Sequence, residues 1–219
     1  MKLKLTWTLL ILCFLSQPLN ASLKWGATGH RVVGAIADNY LDASAKRKIK
    51  KLLNRQSLAF TSTFADEIKS DKRYSDFYTW HYINMPFNVT YENSVKNPKG
   101  DLVTGIEFCK NIIKDKNASD DDKAFYLKLL IHLVGDLHQP MHTGRYEDYG
   151  GSKIYLTFKG RKGSDNKTNL HVLWDTNLID DFKMSYTEWS NHLQNKYRKE
   201  VVKQSNTLEW TFESHWWAR

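Results

Sequence analysis

Three observations predict a mostly helical single domain with a small β-hairpin or strand region near residues 152–168. The chain has 219 residues, enough for one hydrophobic core, and shows no internal repeat, low-complexity tract or interdomain linker. Apolar residues recur at helical spacing along most of it. They are densest where Phe125, Tyr126, Leu127, Leu129 and Leu130 lead into Ile131, Leu133 and Val134, covering most of a helical circumference as a buried helix does. Strict alternation appears in one place, with Ile154, Leu156 and Phe158 set against polar neighbours, and that is a strand pattern.

Taken in order, the chain opens on an expected secretory signal over residues 1–24. Lys2 and Lys4 form its charged region, and Leu5 to Leu15 an apolar run too short to span a bilayer as a mature helix. A secreted or periplasmic location follows. Of the two cysteines, Cys13 lies in that leader, where Leu12 is too large for a lipoprotein cleavage site. Cys109 stands alone, so no intramolecular disulfide is expected, and any cross-linking must come from packing or metal. The net charge is +8, or +5 without the three lysines of the leader. Such a balance suits a polyanion or an anionic surface but does not by itself select one.

After the leader, Val32, Val33, Ile36, Ala37, Tyr40 and Leu41 recur at helical spacing behind Thr28, the expected N-cap. Residues 43–54 read as a basic amphipathic helix whose Lys46, Arg47, Lys48, Lys50 and Lys51 form a solvated face or touch a substrate backbone. Residues 61–70 carry a short helical pattern around Asp66. Residues 79–84 are aromatic and β-branched, which places His81 in an extended or turn segment, and residues 88–102 read as a loop. Helices are expected over 105–116 and 120–139, the second opened by Ser119 and three aspartates that favour a helix N-terminus. Gly150-Gly151 breaks the chain, a strand follows over 153–159, and a turn-rich connection leads to a helix at His171. A last long helix is expected over 181–203.

The chemistry concentrates on these helices. His132 and Asp136 are four residues apart and share one face of the buried helix. Pro140 ends that helix and His142 sits just past it. His171 and Asp175 repeat the spacing. One such pair alone reads first as an ordinary buried hydrogen bond; two pairs with His142 point to metal. The candidate ligands are His30, Asp66, His81, His132, Asp136, His142, His171 and Asp175. Imidazole and carboxylate without thiolate is the ligand set of catalytic zinc. Eight ligands exceed one ion; spread over three, with Asp136 bridging two, they leave positions for water or substrate.

The segments Trp-Gly-x-x-Gly-His from Trp25 to His30, Ala65-Asp66, Trp-His-Tyr-Ile-Asn from Trp80 to Asn84, His-x-x-x-Asp-x-His-Gln-Pro-x-His from His132 to His142 and Asn-Leu-His-x-x-Trp-Asp from Asn169 to Asp175 together resemble the S1/P1 nucleases. The resemblance runs to Glu213-Ser214. It implies a helical bundle of the phospholipase C/P1 nuclease type over residues 25–219 and three zinc ions. By it, Asp66, His81, His132 and Asp136 hold one ion, and His142, His171 and Asp175 another. The third takes His30, Asp136 and the backbone amine and carbonyl of Trp25, so the leader must end immediately before Trp25. Asp66, Lys69 and Asp136 would act in catalysis, Lys69 standing where the family often has an arginine. Tyr82 would stack on a base and Asn84 read its edge; a packed tyrosine and a turn asparagine are the alternative.

The expected function is hydrolysis of phosphodiester bonds in single-stranded DNA and RNA, with 3′-nucleotidase activity, by a monomer without stable membrane association. Two alternatives stand beside it. The same scaffold serves zinc-dependent phospholipases C, although the five-residue step from Trp25 to His30 and the aspartate at 175 favour the nuclease branch. A zinc-binding protein without turnover is the other, because residues 210–219 resemble the start of closing helices and the last C-terminal helix is expected to be missing.

Overall fold

The computed structural model describes residues 26–158, 167–198 and 205–219. The leader, Trp25 and the ends of two predicted elements, the 153–159 strand and the 181–203 helix, lie outside them. Helix α6, Asp120–Leu137, is the axis on which the rest is packed. Ser119 accepts a hydrogen bond from Asp122 N at its start, and Asp120, Asp121 and Asp122 sit in the first turn, where the helix dipole favours negative charge. Its three sides have three uses. Leu129, Leu133 and Leu137 recur every four residues and bury against Leu102, Ile106 and Cys109 of α5, Leu102–Lys114. Leu127 and Ile131 face a second cluster with Leu53 and Leu58, which joins it to α1 (Ala27–Tyr40), α2 (Ala43–Leu52) and α3 (Leu58–Thr61). The remaining side presents His132 and Asp136, both fully buried.

The other elements fix what faces those two residues. Helix α4, Phe64–Ile68, carries Asp66. Lys72–His81 forms a 3-10 helix ending on His81, where an extended or turn segment was expected; Phe77 and Trp80 turn inward onto Phe125, Tyr126 and Phe108, and only a helical path aims both rings at the same wall. Gly105 lets this happen, since a Cβ there would lie 2.8 Å from the Trp80 ring. A 3-10 turn, Pro140–Thr143, follows α6 and buries His142. Strands β1 (Tyr155–Thr157) and β2 (Lys167–Asn169) pair antiparallel, Leu156 opposite Thr168. Asn169 then caps a continuous helical run: α7 (Leu170–Val172), a π-helical turn (Leu173–Asn177) and α8 (Leu178–Asp180). Helices α9 (Tyr186–Lys196) and α10 (Thr207–Trp217) complete the described chain.

Several boundaries differ from expectation. Gly26 rather than Thr28 occupies the N-cap of α1, and its N–H donates to Asp175 O. The basic helix stops at Leu52, after which Asn54 and Arg55 take positive φ; its five cations are all exposed, as a solvated face requires. The last predicted helix starts at Tyr186 instead of 181, where Ser185 and Glu188 form a capping box. Cys109 is free and buried. No helix among the described residues is long and apolar enough to cross a membrane.

Candidate metal centre

Four pieces of chain meet at Asp136, its own helix included. Its Oδ2 lies 2.9 Å from His81 Nδ1 and 3.2 Å from His132 Nε2, and those two nitrogens are 3.2 Å apart. Its Oδ1 lies 3.4 Å from His30 Nε2 and 3.3 Å from His142 Nδ1. The two oxygens of one carboxylate thus serve two different histidine pairs. Ligand atoms about 2.0–2.1 Å from a tetrahedral ion stand roughly 3.3 Å from one another, so the observed spacings suit cations held between these groups. Asp136 Oδ1 is buried and accepts no hydrogen bond among the described residues, a cost that a bound cation would remove.

The next cluster adjoins through His142, whose Nε2 lies 3.5 Å from Asp175 Oδ1. His171 Nε2 is 3.0 Å from Asp175 Oδ2, and the His142 and His171 rings stack at 5.0 Å. The π-helical turn carries Asp175, a local widening often found at functional sites. Asp66 completes the arrangement from α4, with Oδ1 4.0 Å from His132 Nε2. Among the described residues, three groups can hold an ion by proximity: His81, His132 and Asp136; His142, His171 and Asp175; and His30, Asp66 and His132. Asp66 is thus grouped with His30 and His132, whereas the resemblance sets it with His81, His132 and Asp136.

Outer partners orient the rings. His132 Nδ1 donates to Ser62 O at 2.7 Å and His171 Nδ1 to Gly150 O at 2.9 Å, which leaves both Nε2 atoms facing the carboxylates, as metal-ligating histidines require. Gly150 reaches His171 at φ +56°, where a Cβ would collide with Met141 O. Gln139 was not anticipated: its amide donates to Asp175 Oδ1 and its carbonyl accepts from Met141 N at 2.5 Å. A glutamine beside a helix end has no spacing signal, so only its place between two histidines could have drawn notice.

Electrostatics fit the same reading. Burial opposes charge on Asp136, yet His132 and His142 hold its carboxyl well below the usual range. Burial also works against charge on His142, but Asp136 and Asp175 push it up to about 10. His132 is raised against burial by Asp136 in the same way, whereas burial and the neighbouring His132 hold His30 well below its ordinary value. The buried carboxylates therefore favour positive charge between them.

The centre opens into a cleft of about 300 Å³ lined by His81, His142 and His171 together with Lys69, Tyr78, Tyr82, Asn84, Tyr146 and Tyr149. Lys69 Nζ is 3.8 Å from Asp66 Oδ1 and its side chain is 39% exposed, so it can meet an anion there. Tyr82, Asn84 and Tyr146 also border a second hollow of about 520 Å³. Tyr82 and Asn84 thus line both hollows, and Tyr78, Tyr146 and Tyr149 join them at the cleft, which the sequence did not reveal. Of the named ligands, Trp25 lies outside the described residues; the other eight meet in one place.

Residues 25–219 match the S1/P1 nuclease family profile. The chain is 32% identical over 190 residues to Endonuclease 3 of Arabidopsis thaliana, covering 82% of this chain and 63% of that protein. It is 30% identical to Nuclease S1 of Aspergillus oryzae, over 74% of this chain and 57% of the relative. Identity to Nuclease P1 of Penicillium citrinum is 32%, over 69% and 57% respectively. The chain therefore spans between 57% and 63% of the length of these relatives. The chain therefore belongs to the S1/P1 nuclease family.

Proposed function

We propose that this chain is a secreted, monomeric zinc nuclease that hydrolyses phosphodiester bonds of single-stranded DNA and RNA, with 3′-nucleotidase activity. The observation that carries the reading is the division of Asp136 between His81–His132 on one oxygen and His30–His142 on the other. Three zinc ions account for the donor set. Asp66, His81, His132 and Asp136 would hold one; His142, His171 and Asp175 the second; His30, Asp136 and the amine and carbonyl of Trp25 the third. The family match begins at residue 25, which supports removal of the leader just before Trp25. When bound, such ions supply Lewis acidity, making water nucleophilic near neutral pH and offsetting phosphoryl charge.

The protein's own groups do the rest. Lys69 presents an ammonium to the cleft, where it steadies the charge that builds on the phosphoryl oxygens in the transition state. Lysine offers a point charge without the bidentate fork of arginine. Tyr82 provides a ring on which an unpaired base stacks, and Asn84 offers both a donor and an acceptor to its edge. A duplex hides the base faces, hence the preference for single strands. The test is direct comparison of substrates on zinc-loaded protein beginning at Trp25. Cleavage of single-stranded DNA without hydrolysis of phosphatidylcholine supports the reading; the reverse result assigns the site to a phospholipase C.

A further inference from the structure

The 3-10 turn that carries His142 is four residues long, Pro140–Thr143, too short to fix a ligand by its own hydrogen bonds. Its carbonyls are held from outside, and from two sides. His142 O accepts from Ile83 N at 2.7 Å and Gly144 O from Met85 N at 3.1 Å, which ties the segment to the chain just beyond His81. The carbonyl between them points the other way. Thr143 O accepts from His215 Nδ1 at 2.5 Å, and His215 comes from α10, the last described helix. A carbonyl can only accept, so Nδ1 carries the hydrogen.

Both ends of this bond are closed to water: Thr143 is 0% and His215 3% exposed. The His215 ring packs on Phe87 at 5.3 Å, and its Nε2 is buried with no hydrogen-bond partner among the described residues. A leucine would fill this space without leaving a buried polar nitrogen, yet a histidine stands there, making one hydrogen bond. What that bond fixes is the backbone next to His142, the imidazole that stands between Asp136 and Asp175. We propose that His215 is a positioning residue of the metal centre: its Nδ1–H holds Thr143 O and thereby aims His142 from a helix that supplies no ligand among the described residues. This rests on the metal reading above.

The test compares wild type with His215→Leu, which keeps bulk but removes the donor, and with His215→Asn, whose side-chain N–H reaches the place of Nδ1. Release of zinc to a chromophoric chelator is followed for each. The leucine variant should release one ion about 10- to 100-fold faster, the range for loss of an outer partner, with the other ions near wild-type rates; the asparagine variant should return toward wild type. Hydrogen exchange at Ile83 and Met85 in the metal-free chain provides a readout independent of zinc. Both amides should exchange faster in His215→Leu and be restored in His215→Asn. Wild-type release and unchanged exchange in the leucine variant would overturn the proposal, as would equal acceleration of every ion. Failure of wild type to bind zinc would sink the metal reading instead, while the exchange comparison would still decide whether His215 holds the turn.

Discussion

Replacing Asp136 by asparagine keeps the shape of the side chain and removes its charge, at a position with 0% exposure and four imidazole nitrogens within 3.4 Å. Each oxygen serves a different pair, so on the proposed three-ion reading the change would reach two ions at once. Loss of an outer partner alone costs about 10–100-fold in metal affinity. A charged ligand shared by two cations should cost more than about 100-fold at each, or more than about 2.7 kcal/mol. The His142–His171–Asp175 cluster keeps its own carboxylate, and its ion should stay. The expected product is a folded variant holding one ion in place of three, with cleavage abolished. Elemental analysis, competition with a chelator and near-UV circular dichroism measure these quantities. Full metal content with near-normal turnover would refute the bridging role of Asp136, and loss of all ions together would refute the independence of the His171 cluster.

Three further outcomes are expected. Lys69→Met should lower kcat about 10²–10³-fold, the effect of removing one transition-state donor, while Lys69→Arg should match or exceed wild type; an unimpaired methionine variant would remove Lys69 from the mechanism. Tyr82→Ala should weaken binding of single-stranded DNA about 5- to 150-fold, the equivalent of about 1–3 kcal/mol of stacking, and unchanged affinity for both a nucleotide and a longer strand would count against stacking. Burial pushes the Cys109 thiol up to about 12, so the native protein should resist iodoacetamide until denatured. Rapid labelling of the folded chain would show that the α5–α6 interface opens.

The parts of this structure that could be read from the sequence are those where periodicity and chemistry coincide. His132 and Asp136 on a helix too apolar to be exposed, His142 past Pro140, and His171 with Asp175 all stand at spacings that imply shared faces. His30, Asp66 and His81 carry no such spacing, and it was the resemblance in their flanking residues that joined them to the centre. The 3-10 path of Lys72–His81 was hidden because Phe77 and Trp80 suit a strand as well as a helix, and the decision came from distant Phe125 and Gly105. Outer partners were least legible. Ser62 and Gly150 act through backbone carbonyls, which sequence cannot rank, and His215 meets Thr143 across 72 residues of chain.

Metal content measured alongside activity tests most directly whether a zinc centre assembled on Asp136 performs the hydrolysis proposed for this chain. Protein beginning at Trp25 should contain three zinc ions per chain and cleave single-stranded DNA. Treatment with a strong chelator should stop cleavage and lower the melting temperature, because the proposed ions would tie α1, α4, the 3-10 helix, α6 and the α7 run together, and added zinc should restore both. Cleavage that persists after verified removal of every ion, or a chain that binds no zinc, would contradict the account.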